Sequence, residues 1–114
     1  MKEKRTCRIC FDDMLTAIER IFEYTRGYDF AGFKHDYKTD AVIRNFEIIG
    51  EAAKNIPDSI KEQNPDVPWN EMYSLCNRIS HAYFGIDYEI IWDIITNYLP
   101  ENKLQIEKIS RKVQ

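Results

Sequence analysis

The sequence predicts an all-α protein, an up-and-down bundle of four to five helices in a single domain spanning residues 1–114. Three observations carry that expectation. Apolar residues recur at intervals of three and four along nearly the whole chain, the period of a helix face rather than of a strand. Alternating β-branched runs are almost absent. Gly27, Pro57, Pro68 and Gly85 fall between the periodic segments.

Each element follows from its residues. In the first helix Met14, Ile18, Ile21 and Thr25 form one stripe with Phe11 and Phe22 beside it, and Gly27 is the stop signal. The stretch GYDFAGFKHD, with two glycines, reads as a connecting loop. Next, TDAVIRNFEIIGEAAKNIP places Val42, Phe46, Ile49, Ala53 and Ile56 at 4-3-4-3 spacing, a seam of the coiled-coil kind. Ile48 and Ala52 lie off this seam, which predicts burial on a second side, against another subunit. Asp36 or Thr39 suits the N-cap and Pro57 ends the helix. PDSIKEQNPDVP has room for one short helical turn. Pro68 suits the first position of the following helix, and Glu71 in its first turn complements the positive end of the helix dipole. Met72, Leu75, Cys76, Ile79 and Ala82 keep helical spacing there. Gly85 breaks the pattern and Asp87 can cap a final helix with Ile91, Ile94 and Tyr98. Pro100 kinks or splits this helix before Leu104, Ile109 and Val113 continue it.

Composition narrows the class. Hydrophobic residues make up 44% and charged residues 31% of the 114, a globular profile. A formal net charge of -3 argues against indiscriminate attraction to nucleic acid, so RNA or DNA binding would need a local cationic face. No apolar run approaches the roughly 20 residues of a membrane span, and MKEKRTCRICFDD lacks a signal core, which places the chain in the cytoplasm without membrane association. Cys7 and Cys10 form a lone C-x-x-C. A zinc half-site completed by His35 or His81 lacks a second ligand pair, and a redox pair lacks a βαβ context. The simpler reading is two small residues packed near a helix start.

Chemistry concentrates in SLCNRISHAYF, residues 74–84. At about 100° per residue, Asn77 and His81 share a helix face, with Arg78 close to it, while Cys76 falls on the apolar stripe. Tyr83 follows at the helix end. Each has a structural alternative: an exposed or structural histidine, a solvated arginine, an asparagine bonded to backbone, an amphipathic tyrosine at the bundle edge.

The segment NRISHAYFGID, with TDAVIRNFEIIGEAAKNIP and PDVPWNEM upstream, resembles the HepT-like branch of the HEPN superfamily from the first helix to about Pro100. The resemblance implies a dimerising helical bundle. It further implies a metal-independent endoribonuclease toxin that needs no cofactor and is encoded beside a minimal nucleotidyltransferase antitoxin. The family signature is R-x4-H-x-Y, usually with Asn after the Arg. Asn77 matches that Asn, His81 the catalytic His and Tyr83 the Tyr, which in the family the partner transferase modifies with AMP. Cys76 occupies the Arg position.

Metal-free cleavage has the ribose 2'-OH attack the adjacent phosphate, which requires a proton carrier and a fixed cation for the phosphoryl charge. His81 suits the first role and the family Arg the second. Cysteine carries no positive charge. Three explanations stand: Arg78 substitutes, the chain is a weak or inactive natural variant, or the change was selected or introduced to disarm a toxic site. Beside the ribonuclease reading stand a catalytically silent dimeric module that binds nucleotide, RNA or a transferase, and a structural adaptor.

Overall fold

The computed structural model describes residues 2–35, 39–80 and 88–113, with side chains described for all but 2–6, 34, 35, 39, 75–80 and 113. Helices α1 (Lys2–Thr25), α2 (Phe30–His35), α3 (Thr39–Lys54), α4 (Asp58–Gln63) and α5 (Trp69–Ser80) are followed by α6 (Tyr88–Asp93) and α7 (Leu99–Val113). A single π-helical segment, Ile94–Tyr98, joins the last two. There is no strand among the described residues. The long helices form the expected all-α bundle: α1 packs on α3 and α7, and α3 also packs on α5. No helix among the described residues is long and apolar enough to cross a membrane.

The core follows most of the faces that periodicity marks, but Tyr98 and Leu104 of the final stripe are 55% and 67% exposed. Phe11, Met14, Ile18 and Ile21 of α1 are fully buried, and Val42, Phe46, Ile49 and Ala53 of α3, with Ile56 just beyond its end, form the buried seam. Ile43 and Ala52, off that seam, are also buried, and Ile48 is half-buried against the core. Both sides of α3 are thus covered within one chain, because α1 and α5 flank it. A second subunit is not needed to bury them.

Local chemistry sets the boundaries. After α1 the chain turns at Gly27, whose φ of 82° is readily adopted only by glycine. The Thr25 hydroxyl donates back to the Ile21 carbonyl at 2.8 Å in the last turn. The stretch read as a loop contains α2. Asp29 caps it by accepting from the Gly32 amide at 2.8 Å, and Phe33 sinks into the core against Tyr88 and Trp92 of α6. One buried aromatic and one cap outweigh the cost of a helical glycine. Pro68 precedes the following helix rather than opening it: its carbonyl accepts from Met72 N–H at 3.0 Å, while α5 begins at Trp69. Near Pro100 the helix widens instead of breaking. Leu99 N–H bonds to the Ile94 carbonyl, five residues back. That wider turn accommodates a proline, which has no N–H and whose ring crowds the preceding turn.

Ile18 is completely buried on α1 whereas Leu104 is 67% exposed on α7. Ile18→Ala is expected to lower unfolding free energy by about 3 kcal/mol and Leu104→Ala by under about 0.5 kcal/mol, measured by urea denaturation. Equal losses would contradict this assignment of the core.

Candidate functional site

Residues 74–80 of the chemistry-bearing stretch lie on α5, so what fixes α5 positions them. Its start is anchored by Trp69, buried, whose indole N–H donates to the Asn64 carbonyl at 3.0 Å. Asn64 in turn donates to the Ile60 carbonyl at 2.9 Å, and so closes α4. Buried Val67 and Met72 press the connection and the first turn onto the core. From the far side, Gln105 of α7 donates to the Asp66 carbonyl at 3.2 Å. Lys54 at the end of α3 lies over the Tyr73 ring, 5.6 Å from its centre, which fastens the two helices side by side.

Positions 76, 77 and 78 lie on the backbone of this helix, so Cys76, Asn77 and Arg78 occupy its last two turns as the sequence predicts. Their side chains lie outside the description. His81 and Tyr83 fall in residues 81–87, outside the described residues.

A feature not legible as a site in the sequence adjoins this face. A cavity of about 600 Å³ opens between α3, the first turns of α5 and the α6–α7 helix. Its floor includes Phe46, Ile49, Met72 and Leu99, all buried. Asn70, Glu71 and Ser74 of α5 line it, and Tyr98 stands at it 55% exposed. Across from them Asn102, only 8% exposed, donates to Gln105 at 3.2 Å. Asn102 and Gln105 thus form a relay to the Asp66 carbonyl, which fixes the Asn102 carboxamide in the cavity wall. Asn70, Ser74 and Asn77 are spaced 4-3, which puts all three on one stripe of α5. The sequence continues that spacing to His81. The 70-74-77-81 progression was the signal available in the residues alone.

Cys7 and Cys10 are 2% and 8% exposed, packed in the core with Phe11 and Met14. Burial, with smaller contributions from Asp13 and Cys7, pushes the Cys10 thiol above its ordinary value of 9.0. The thiolate is the form that attacks disulfides and binds metals, so this environment suits packing rather than reactivity. Because the folded chain holds the Cys10 proton more tightly than the unfolded one, Cys10 contributes stability that is complete below pH 9 and declines as pH rises beyond it. Iodoacetamide should label Cys7 and Cys10 slowly until denaturant is added, as mass spectrometry would record. Fast labelling of the native chain would contradict their burial.

Comparison with known proteins places this architecture. A family model described as ribonuclease HepT-like matches residues 14–109. A protein of Thermococcus cleftensis named as a probable ribonuclease HepT is 42% identical over 109 residues, covering 95% of this chain and 99% of its own. One from Methanocaldococcus jannaschii, provisionally named as an RNase, is 41% identical over 112 residues, covering 97% of this chain and 93% of its own. Another provisionally named RNase, from Caldanaerobacter subterraneus, is 37% identical over 109 residues, covering 95% and 97% respectively. No solved structure matches the chain significantly.

Proposed function

The chain belongs to the ribonuclease HepT-like family, and from that premise we propose that it is the RNA-cleaving toxin of a toxin–antitoxin pair. It works as a cytoplasmic homodimer whose antitoxin is a minimal nucleotidyltransferase. The observation that carries this reading is the coincidence of near full-length similarity to proteins named as ribonucleases with Asn77, His81 and Tyr83 at the family's motif spacing.

The proposed chemistry is transphosphorylation. His81 as general base takes the proton of a ribose 2'-OH, whose oxygen attacks the adjacent phosphorus. The P–O5' bond breaks, the leaving 5'-oxygen takes up a proton, and a 2',3'-cyclic phosphate remains on the upstream fragment. Asn77 orients the phosphate or the imidazole. The two chains of a dimer bring two such helices to a shared cleft. No metal or cofactor takes part in this scheme.

Charge developing on the phosphoryl oxygens needs a fixed cation, and Cys76 stands where the family has Arg. Arg78, two positions on, is the available substitute. Losing one positioned stabilising group costs about 3 kcal/mol of barrier, on the order of a hundredfold in rate. Cys76 therefore also favours a second reading, in which the chain is a catalytically silent dimer that binds RNA, nucleotide or the transferase.

Cys76→Arg should raise cleavage of single-stranded RNA at least about a hundredfold, and His81→Ala should remove whatever activity is present, both followed by gel electrophoresis of labelled RNA. Intact RNA with the Cys76→Arg protein would leave only the binding-module reading.

Tyr83 is the proposed site of AMP attachment by the partner transferase. A phosphodiester there adds negative charge and bulk beside His81, opposing the approach of an RNA phosphate. Incubation with ATP and the transferase should add one AMP mass to the Tyr83 peptide. An unmodified peptide would remove this regulatory step.

A further inference from the structure

Building on the ribonuclease reading, we propose that the cavity beside α5 is a nucleobase pocket that holds a guanine flanking the cleaved phosphodiester. Four observations converge on it.

The first is placement. Ser74 of the cavity wall lies about 4.5 Å along the α5 axis from Asn77 and on the same stripe. A strand whose phosphate sits at Asn77 therefore carries its neighbouring base to the mouth of the cavity.

The second is size and lining. A volume near 600 Å³ falls within the range of small-molecule sites, and an apolar floor with a few polar groups is the usual composition of one. The Phe46 ring and the Met72 side chain on the floor give apolar surface against which a heterocycle can pack. Tyr98, 55% exposed, offers a ring on which an unstacked base can lie. Single-stranded RNA is read in this manner, by stacking on aromatic side chains and hydrogen bonding along base edges.

Charge supplies the third. Among the described lining residues Glu71 is the sole charged one. A carboxylate repels phosphate, so this cavity takes the base and leaves the backbone to the face beyond Ser74. An ionised carboxylate only accepts hydrogen bonds, and its two oxygens match two parallel N–H donors. Guanine presents such a pair, N1–H and the 2-amino group. No other standard base does.

The fourth is the held carboxamide. Asn102 is more than nine-tenths buried and positioned by Gln105. Its carboxamide lines the cavity, where it can meet the far edge of a bound base. Here Asn70, Glu71, Ser74 and Asn102 all meet an apolar floor.

The test uses the full chain carrying His81→Ala, so that RNA is bound without being cut. Fluorescence anisotropy is measured with short single-stranded RNAs that differ at one position: guanine, inosine, adenine or an abasic ribose. Guanine is expected to bind about tenfold more tightly than the abasic ribose, with inosine, which lacks the 2-amino group, in between. Adding Glu71→Gln or Tyr98→Ala should reduce the guanine preference to near unity, while circular dichroism verifies the fold. Equal affinity for all four RNAs overturns the pocket, as does a guanine preference that survives Glu71→Gln. So does an Ile90→Ser, Tyr98→Ala protein that changes sedimentation from dimer to monomer yet retains base preference, since the face would then join two copies. Cleavage by the Cys76→Arg protein separates the two levels. RNA cut without base preference would sink the pocket alone; RNA neither bound nor cut would sink the pocket and the ribonuclease reading together.

Discussion

The first turn of α5 is where the bundle fixes its functional helix. Trp69 buries its rings and donates its indole N–H to the Asn64 carbonyl, while Asn64 closes α4 through the Ile60 carbonyl. A buried indole without that acceptor would bear the cost of an unpaired donor, so the geometry of the α4–α5 connection is tightly specified. With the start of the helix fixed, the rotation of every later residue follows from the helical repeat. Positions 74, 77 and 78 of the α5 backbone take their rotation about the helix axis from Trp69, and Gln105 reaches from α7 to the Asp66 carbonyl to secure the same corner.

Packing on α3 gives that corner its support. The α3 helix is buried along its seam and beyond it, between α1 on one side and α5 on the other. Such a helix has little freedom to shift, because interiors packed at crystal-like density resist displacement. The Lys54–Tyr73 contact adds a cation–π tie at the exposed edge of the same interface. The cavity lies where three helices meet with imperfect closure. Its polar walls come from the first two turns of α5 and from α7.

Much of this was legible in the residues. The helical periods of α1 and α3 marked Ile18, Ile21, Val42, Phe46 and Ile49 as core, and all are buried. Gly27 marked the end of α1 for the reason its positive φ now gives. By contrast α2 was hidden, because Gly32 weakens the helical pattern and Phe33 pairs with aromatics more than fifty residues away. The second buried side of α3 suggested another subunit, since periodicity cannot tell whether a face meets its own chain or a second copy. Motif spacing pointed to Asn77, His81 and Tyr83. It did not point to Asn102, whose place opposite α5 depends on a relay through Gln105 to a distant carbonyl. Cys7 and Cys10 suggested redox or metal chemistry only as letters. Their burial among Phe11 and Met14 explains them as packing.

The proposed cleavage requires an imidazole at position 81 to move a proton from a ribose hydroxyl, with Asn77 and a nearby guanidinium meeting the phosphate. The ends of the RNA fragments record that chemistry most directly. With the Cys76→Arg protein in excess chelator, mass spectrometry should find 2',3'-cyclic phosphate on the upstream fragment and a 5'-hydroxyl on the downstream one. Fragments ending in 3'-hydroxyl and 5'-phosphate, or cleavage that stops when metal is withdrawn, would contradict it.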